Sequence, residues 1–486
     1  MKAKRTEILL KPDCRRVLFR PFQLPHEERF FRIIARIMAL TEAAVKNELK
    51  QVMSEFNDRH LRIQEFFLKR FEQVRGFLLT DQELSEERKL LIGAYFTQEY
   101  SLEASALFNP SMVWHPVQSD LPENSRRFII SLRATGEGHI SSITFRSGVI
   151  DASNNITLDE PTRYVTLPEV LPNPSYEKSL FEQKLYELDL HNEFTANILA
   201  GLGEAFTLKQ LRESIEYALH PSRSRDSANE ATAKGILSLA QSNYEVVYDA
   251  EQHLSERIIF PTTPAERNGI EDARFVEFCE EDGSTTYYAT FTAFDGKVIF
   301  PQLLETRDFL HFKISTLNGP EVKNKGMALF PRKINGLYAM ISRQDNENLY
   351  IMFSEQLHFW YSKRMLLKPT FPWEFVQLGN CGSPIETEAG WLVLSHGVGP
   401  VRKYAIGAFL LDLDDPTKVI GRLREPLLYP EANEREGYVP NVVYSCGGLI
   451  HGGELIIPYA MSDRISSFAM VSLDDLLDEL TSQQHR

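Results

Sequence analysis

Six consecutive residues, Gly269-Ile270-Glu271-Asp272-Ala273-Arg274, place two carboxylates beside a guanidinium, upstream of an apolar segment that begins at Tyr287. Neighbouring side chains on an extended segment point to opposite sides, which predicts different duties for Glu271 and Asp272. One acid is expected to face a pocket while Arg274 holds the other. A carboxyl group in a sugar-sized pocket can be tuned to give its proton to a departing oxygen, the central requirement of glycoside chemistry. The same residues also suit a surface turn closed by a local salt bridge, so the surrounding chain has to decide between the two.

The elements that would position such a site repeat. After a polar turn, one short apolar segment recurs as Phe128–Arg133, Tyr287–Thr292, Leu337–Arg343, Trp391–His396 and Glu454–Tyr459. Each has the length and the β-branched or aromatic content of a buried strand. From Tyr287 to Leu337 is 50 residues, to Trp391 another 54 and to Glu454 another 63, and His311-Phe312 is echoed 47 residues later by His358-Phe359. Recurrence near that length, with several strands per unit, predicts propeller blades, five in number. The segments end on Arg133, Thr292, Arg343, His396 and Tyr459, which are expected to converge at one end of a central channel. Tyr288, Phe294 and Trp391 read as core aromatics, and His311 and His358 as packing residues without metal-ligand spacing.

Two stretches break the β pattern. Residues 27–99 carry apolar positions at three- and four-residue steps, such as Phe30, Ile33, Ile34 and Ile37, with Thr80-Asp81-Gln82-Glu83 as the cap of a third helix. Residues 176–243 repeat the pattern, divided by the polar run at 222–227, and read as a helical insertion. The expected fold is mainly β: a five-bladed β-propeller over 105–486 with an insertion at about 174–243, preceded by an N-terminal segment and helical extension over 1–104.

Composition narrows the partners. With 43% apolar and 25% charged residues, the 486-residue chain reads as an ordinary globular protein. Its formal charge of −14 argues against nucleic acid or an anionic membrane and suits a neutral ligand such as a sugar. Four widely spaced cysteines without a CxxC pair read as reduced thiols, and Lys11, Asp13 and Arg15 interrupt the apolar start. A cytoplasmic location is expected, with a homo-oligomer through the helical additions compatible with the pattern.

Further segments follow in order: Thr290-Phe291-Thr292-Ala293-Phe294-Asp295-Gly296, Ala328-Leu329-Phe330-Pro331, Pro384-Ile385-Glu386-Thr387-Glu388-Ala389-Gly390-Trp391-Leu392, Ser395-His396-Gly397-Val398 and Pro440-Asn441-Val442-Val443. With these, the chain resembles glycoside hydrolase family 130, the inverting mannoside phosphorylases and related β-mannosidases, which are five-bladed propellers. The resemblance covers roughly 105–480, outside the helical insertion. It implies that Asp272 is the general acid, acting through a hydroxyl of the bound mannosyl unit, although Ala273 stands where the motif usually has proline. Glu271 and Arg274 would support it.

The same resemblance puts Arg343, Lys325, His396 and Tyr404 on phosphate, with Asn109 and Ser111 at the edge. Lys325 replaces a usual arginine and so loses the bidentate fork. Asp463 matches an aspartate of the family's last blade that binds the mannosyl unit, and Arg133 and the Gly136–His139 turn, on the first blade, are further candidate sugar contacts. Glu386 stands where many phosphorylases carry lysine: a carboxylate there would repel phosphate but could activate water as the base of an inverting hydrolase. The implied activity is phosphorolysis of a β-mannoside by inorganic phosphate to α-mannose 1-phosphate, with no metal or organic cofactor. The alternatives are an inverting β-mannosidase using Glu386 or a nearby acid, and a non-catalytic sugar-binding propeller.

Overall fold

Each of the five recurring segments lies in the second strand of a different antiparallel sheet. The computed structural model describes residues 2–171, 175–220, 227–294 and 299–482. Sheet I is built on Ala106–Trp114, Arg126–Thr135 and Ser141–Ile150, and sheet II on Ile270–Cys279, Thr285–Phe294, Ile299–Thr306 and His311–Thr316. Sheet III holds Ala328–Leu329, Tyr338–Ser342, Leu349–Ser354 and Arg364–Leu367. Sheet IV holds Gln377–Asn380, Gly390–Val398, Tyr404–Leu411 and Val419–Arg422, and sheet V Val443–Tyr444, Glu454–Met461 and Ile465–Ser472. The chain is therefore mainly β with helical additions.

These second strands carry long apolar runs because both faces are buried, with polar groups such as Arg133, Thr292 and His396 towards one end. Ile129 packs with Phe275 and Tyr287 of sheet II, whereas its neighbours Phe128 and Ile130 pack with Ile456 and Phe468 of sheet V. Similar apolar layers join Phe278 to Met340, Ile351 to Trp391 and Leu394 to Ile457, linking sheets II to III, III to IV and IV to V. Trp391 and Tyr288 are core residues, as their types predict.

The N-terminus takes part in this β-structure. Lys4–Arg5 pairs antiparallel with Ile465–Ser472, so the first strand of the chain completes the last sheet. Between the paired strands Val17–Pro21 and Thr97–Ser101 lie four helices, α1 (Glu27–Met38), α2 (Glu42–Phe56), α3 (Ile63–Val74) and α4 (Glu86–Tyr95). The cap expected at Thr80 is displaced. Thr80 accepts only from Gln82 in a local turn, and Ser85 caps α4 by accepting from the Arg88 N–H. The second helical stretch forms α5 (Lys178–Glu187), α6 (Glu193–Ala200), α7 (Leu208–Ala218) and α8 (Ser227–Gln241). Its flanking strands Glu169–Leu171 and Tyr244–Val247 extend the outer edge of sheet II. Positions 222–226 of the polar run, and Asp295-Gly296 of the quoted motif, lie outside the described residues.

Candidate active site

Asp272 sits at a β-bulge, where the register of Ile270–Cys279 against Thr285–Phe294 shifts between Glu271 and Arg274. Its φ of 54° is left-handed, a region that Asp and Asn tolerate better than most residues. The bulge overturns the expected alternation. Both acids turn towards Arg133, whose guanidinium lies 3.1 Å from Glu271 Oε1 and 3.4 Å from Asp272 Oδ1. Arg274 is not the carboxylate clamp; it donates to the backbone carbonyl of Asp272 at 3.0 Å, to Cys381 O at 3.0 Å and to the Tyr444 hydroxyl at 2.6 Å.

A second bulge faces the first. Between Phe108 and Ser111 the register of sheet I shifts, and Asn109, left-handed at φ 49°, donates from Nδ2 to Asp272 Oδ1 at 2.7 Å. Asn109, expected at the edge of a phosphate site, thus binds the acid through Nδ2, while its Oδ1 has no protein partner. The Ser111 hydroxyl, expected at the same edge, accepts from the Phe275 N–H and ties sheet I to sheet II. Burial alone would lift the Asp272 carboxyl, but the charges of Arg133, Arg274 and Lys325 and the Asn109 amide outweigh it and hold it at about 2. Asp463, left-handed in the turn between the last two long strands of sheet V, is driven the other way. Burial, then the Asp272 charge, push it up to about 7.

The cations meet a buried histidine. Lys325 Nζ pairs with Glu271 Oε2 at 2.8 Å, and the next residue, Gly326 at φ +90°, packs so tightly that a Cβ there would lie 2.5 Å from Arg343 Nε. Gly379 does the same on the other side, where a Cβ would meet His396 Nε2 at 2.6 Å and Arg343 Cδ at 3.0 Å. His396 is fully buried, stacked 5.8 Å from Tyr404 and 4.9 Å from the Tyr444 ring. Burial first, then Arg343 and Arg274, keep its imidazole neutral, well below the usual histidine range. Neither ring nitrogen of His396, nor Arg343 Nε, meets a protein partner in good hydrogen-bond geometry, although the Asn380 backbone lies beside the imidazole. Buried polar atoms left in that state await a ligand or water.

Two expected members fall elsewhere. Glu386 pairs in register with Trp391, five residues along the strand from His396, or roughly 17 Å at ~3.3 Å per residue. Its carboxylate forms an exposed ion pair with Arg332 at 2.7 Å, away from His396. Tyr459 points away into the sheet V core, donating to Glu434 at 2.8 Å. Conversely, Tyr444 was missed by sequence reasoning, although it directly follows the quoted Pro440–Val443 segment. Gly326 and Gly379 were missed too, since their value lies in having no side chain beside Arg343 and His396.

Residues 227–482 match the family model described as beta-1,4-mannooligosaccharide phosphorylase, over half of the chain. The chain belongs to glycoside hydrolase family 130. Within this family it is 36% identical to a 1,2-beta-oligomannan phosphorylase of Thermoanaerobacter sp. (strain X514), over 46% of this chain and 75% of that one. It is 32% identical to a beta-1,2-mannobiose phosphorylase of Listeria innocua, over 46% of this chain and 63% of the relative. The solved structure of a beta-1,2-mannobiose phosphorylase from Listeria innocua with beta-1,2-mannobiose overlaps 79% of this family 130 chain and 93% of its own. That overlap has a TM-score of 0.47 and 23% identity.

Proposed function

We propose that this family 130 chain is an inverting glycoside phosphorylase that cleaves β-mannosides with inorganic phosphate to release α-mannose 1-phosphate. The observation that carries the reading is the buried trio of unpartnered nitrogens on His396 and Arg343 beside a cation-bound acid. A phosphate oxygen accepting from Arg343 Nε–H and from the single N–H of the neutral His396 imidazole would attack the anomeric carbon as the bond to the leaving oxygen breaks on the opposite face. The proton would pass from Asp272 through a hydroxyl of the mannosyl unit to the leaving oxygen. Arg133, Arg274 and Lys325 keep Asp272 ionised; an arriving phosphate dianion offsets those charges and favours the protonated acid. Glu271, held by Arg133 and Lys325, orients both cations.

The names of the relatives and of the family model differ in linkage, so the proposal extends to β-mannosides as a class. The hydrolytic alternative is weakened because Glu386, its candidate base, is engaged by Arg332. The reading includes a five-bladed propeller, supported by the apolar layers that join sheets I to V in a ring. It also includes a division at about residue 104 and a cytoplasmic setting, the latter supported by four cysteines outside any disulfide. Among the described residues no helix is long and apolar enough to cross a membrane. A homo-oligomer through the helical additions belongs to the same reading. The test is incubation with a panel of β-mannosides with and without phosphate. Phosphate-dependent α-mannose 1-phosphate is expected, together with loss of at least about a thousandfold in kcat for Asp272→Asn at unchanged circular dichroism. Equal release of free mannose in both buffers, or a fully active variant, overturns the reading.

A further inference from the structure

Two exposed rings meet on turns that adjoin the elements carrying Arg133 and Asp463. His139 closes the turn that follows Arg126–Thr135, the strand that carries Arg133, and Ser141 just beyond the turn accepts from Arg133 Nε at 2.9 Å. Tyr438 approaches from the opposite end of the chain and is anchored on both sides to the turn that presents Asp463. A Cβ on Gly437 would lie 2.3 Å from Ser462 O, and the Val439 N–H donates to that same carbonyl at 3.1 Å. The Tyr438 hydroxyl and His139 Nδ1 are hydrogen-bonded at 3.1 Å, with ring centroids 5.6 Å apart and planes at 37°. Tyr438 nevertheless remains 48% exposed. Ordering two exposed aromatic side chains costs conformational entropy that burial does not return here.

A second turn repeats the first. Gly136 to His139 in sheet I and Gly399 to Arg402 in sheet IV have matching geometry: an extended glycine, then a left-handed pair, Gly138 and His139 in one, Val401 and Arg402 in the other. Left-handed Val401, β-branched and 89% exposed, is a backbone outlier of the kind found where function fixes the chain. It sets Arg402 within electrostatic reach of Asp463 and 5.8 Å from the Tyr404 ring.

We propose that the His139–Tyr438 ring pair, together with Arg402, is the surface that receives the leaving sugar and so selects the acceptor. This rests on the phosphorylase reading above. Asp272 and Arg133 have side chains only 12% and 19% exposed, so the unit whose bond breaks lies deep and the unit beyond it meets the rim. The apolar C–H face of a pyranose suits an aromatic face, while Arg402 and the imidazole offer donors to its hydroxyls.

The test runs the reaction in the synthetic direction with α-mannose 1-phosphate and a panel of acceptor sugars. Tyr438→Ala should raise the acceptor KM about tenfold and leave the KM for α-mannose 1-phosphate unchanged, whereas Tyr438→Phe, which keeps the ring, should stay within about twofold. An unchanged acceptor KM in Tyr438→Ala, or an equal rise in both constants, overturns the inference. A wild-type protein that neither makes nor breaks β-mannosides with phosphate defeats the phosphorylase reading instead. Calorimetry of β-mannobiose in phosphate-free buffer then judges the rim alone: about tenfold weaker binding in Tyr438→Ala supports it, and equal binding in the two proteins refutes it.

Discussion

Asp272 and Asp463 stand in one electrostatic neighbourhood and are driven to opposite protonation states, the first held at about 2 and the second lifted to about 7. Near neutrality the titrating carboxyl is therefore Asp463. Its loss of a proton adds a third carboxylate beside Glu271 and Asp272, against Arg133 and Arg402. An anion in the adjacent site should feel that charge, and His396, neutral well below this range, does not obscure it. Sulfate, whose own charge is constant, is expected to bind roughly tenfold more weakly at pH 8 than at pH 6, an interaction on the order of 1.4 kcal/mol. Asp463→Asn should remove that dependence, and calorimetry at both pH values reads it; a wild-type affinity that does not change with pH defeats the assignment. Stability carries the same sign. A carboxyl raised in the fold stabilises it below the ordinary aspartate range, and that contribution is lost as pH rises through about 7. At this scale the sequence was legible where ordered motifs marked Asp272, Arg343 and His396. It misled at the Glu271/Asp272 pair and did not show that Asn109 faces Asp272, because a bulge shifts side-chain direction by one residue without leaving a periodic mark.

Among the elements, three short 3-10 turns recur before the first strands of sheets II, IV and V: Pro264–Glu266, Pro372–Glu374 and Ala432–Glu434. Each ends in a buried glutamate that accepts from the backbone N–H opening its own turn and from a side chain elsewhere in the β-structure. Glu266 takes Tyr244, Glu374 takes Arg422, and Glu434 takes Arg5 and Tyr459. These turns fix where the strands leading into the site begin. Glu374→Ala strips the buried partner from Arg422 and two acceptor bonds from Thr370 and Phe371. A loss of about 3 to 5 kcal/mol in urea unfolding is expected, and a loss below about 1 kcal/mol would show that packing, not the staple, holds the turn. The repeating strands were visible in sequence because burial on both faces writes a continuous apolar run. The glutamate turns were not, since a single acid at wide, uneven spacing looks like surface until its burial is known.

Across the whole molecule, widely separated stretches of chain meet at one buried acid. Glu103, fully enclosed on the approach to sheet I, accepts from Arg16 Nε at 2.8 Å and from Arg146 Nη2 at 2.7 Å. Arg16 in turn donates to the carbonyls of Thr162 and Ser255, which flank the helical insertion. Burial, then the nearby Arg146 charge, lower the Arg16 guanidinium to about 10, so this group is strained by its like-charged neighbour as well as held by the acid. The arrangement joins the N-terminal segment, sheet I and the ends of the insertion, while Lys4–Arg5 closes the same segment onto sheet V. Glu103→Ala leaves two buried guanidinium groups facing each other without their shared counter-charge, and removal of one member of such a cluster costs about 3 to 5 kcal/mol. Arg15→Ala, whose side chain is 81% exposed in its pair with Asp13, should leave the urea midpoint close to that of the parent protein and serves as the control. Urea midpoints followed by tryptophan fluorescence compare the two. If Glu103→Ala falls no further than Arg15→Ala, the junction is only a point of contact, and the N-terminal segment is held by strand pairing and apolar packing instead.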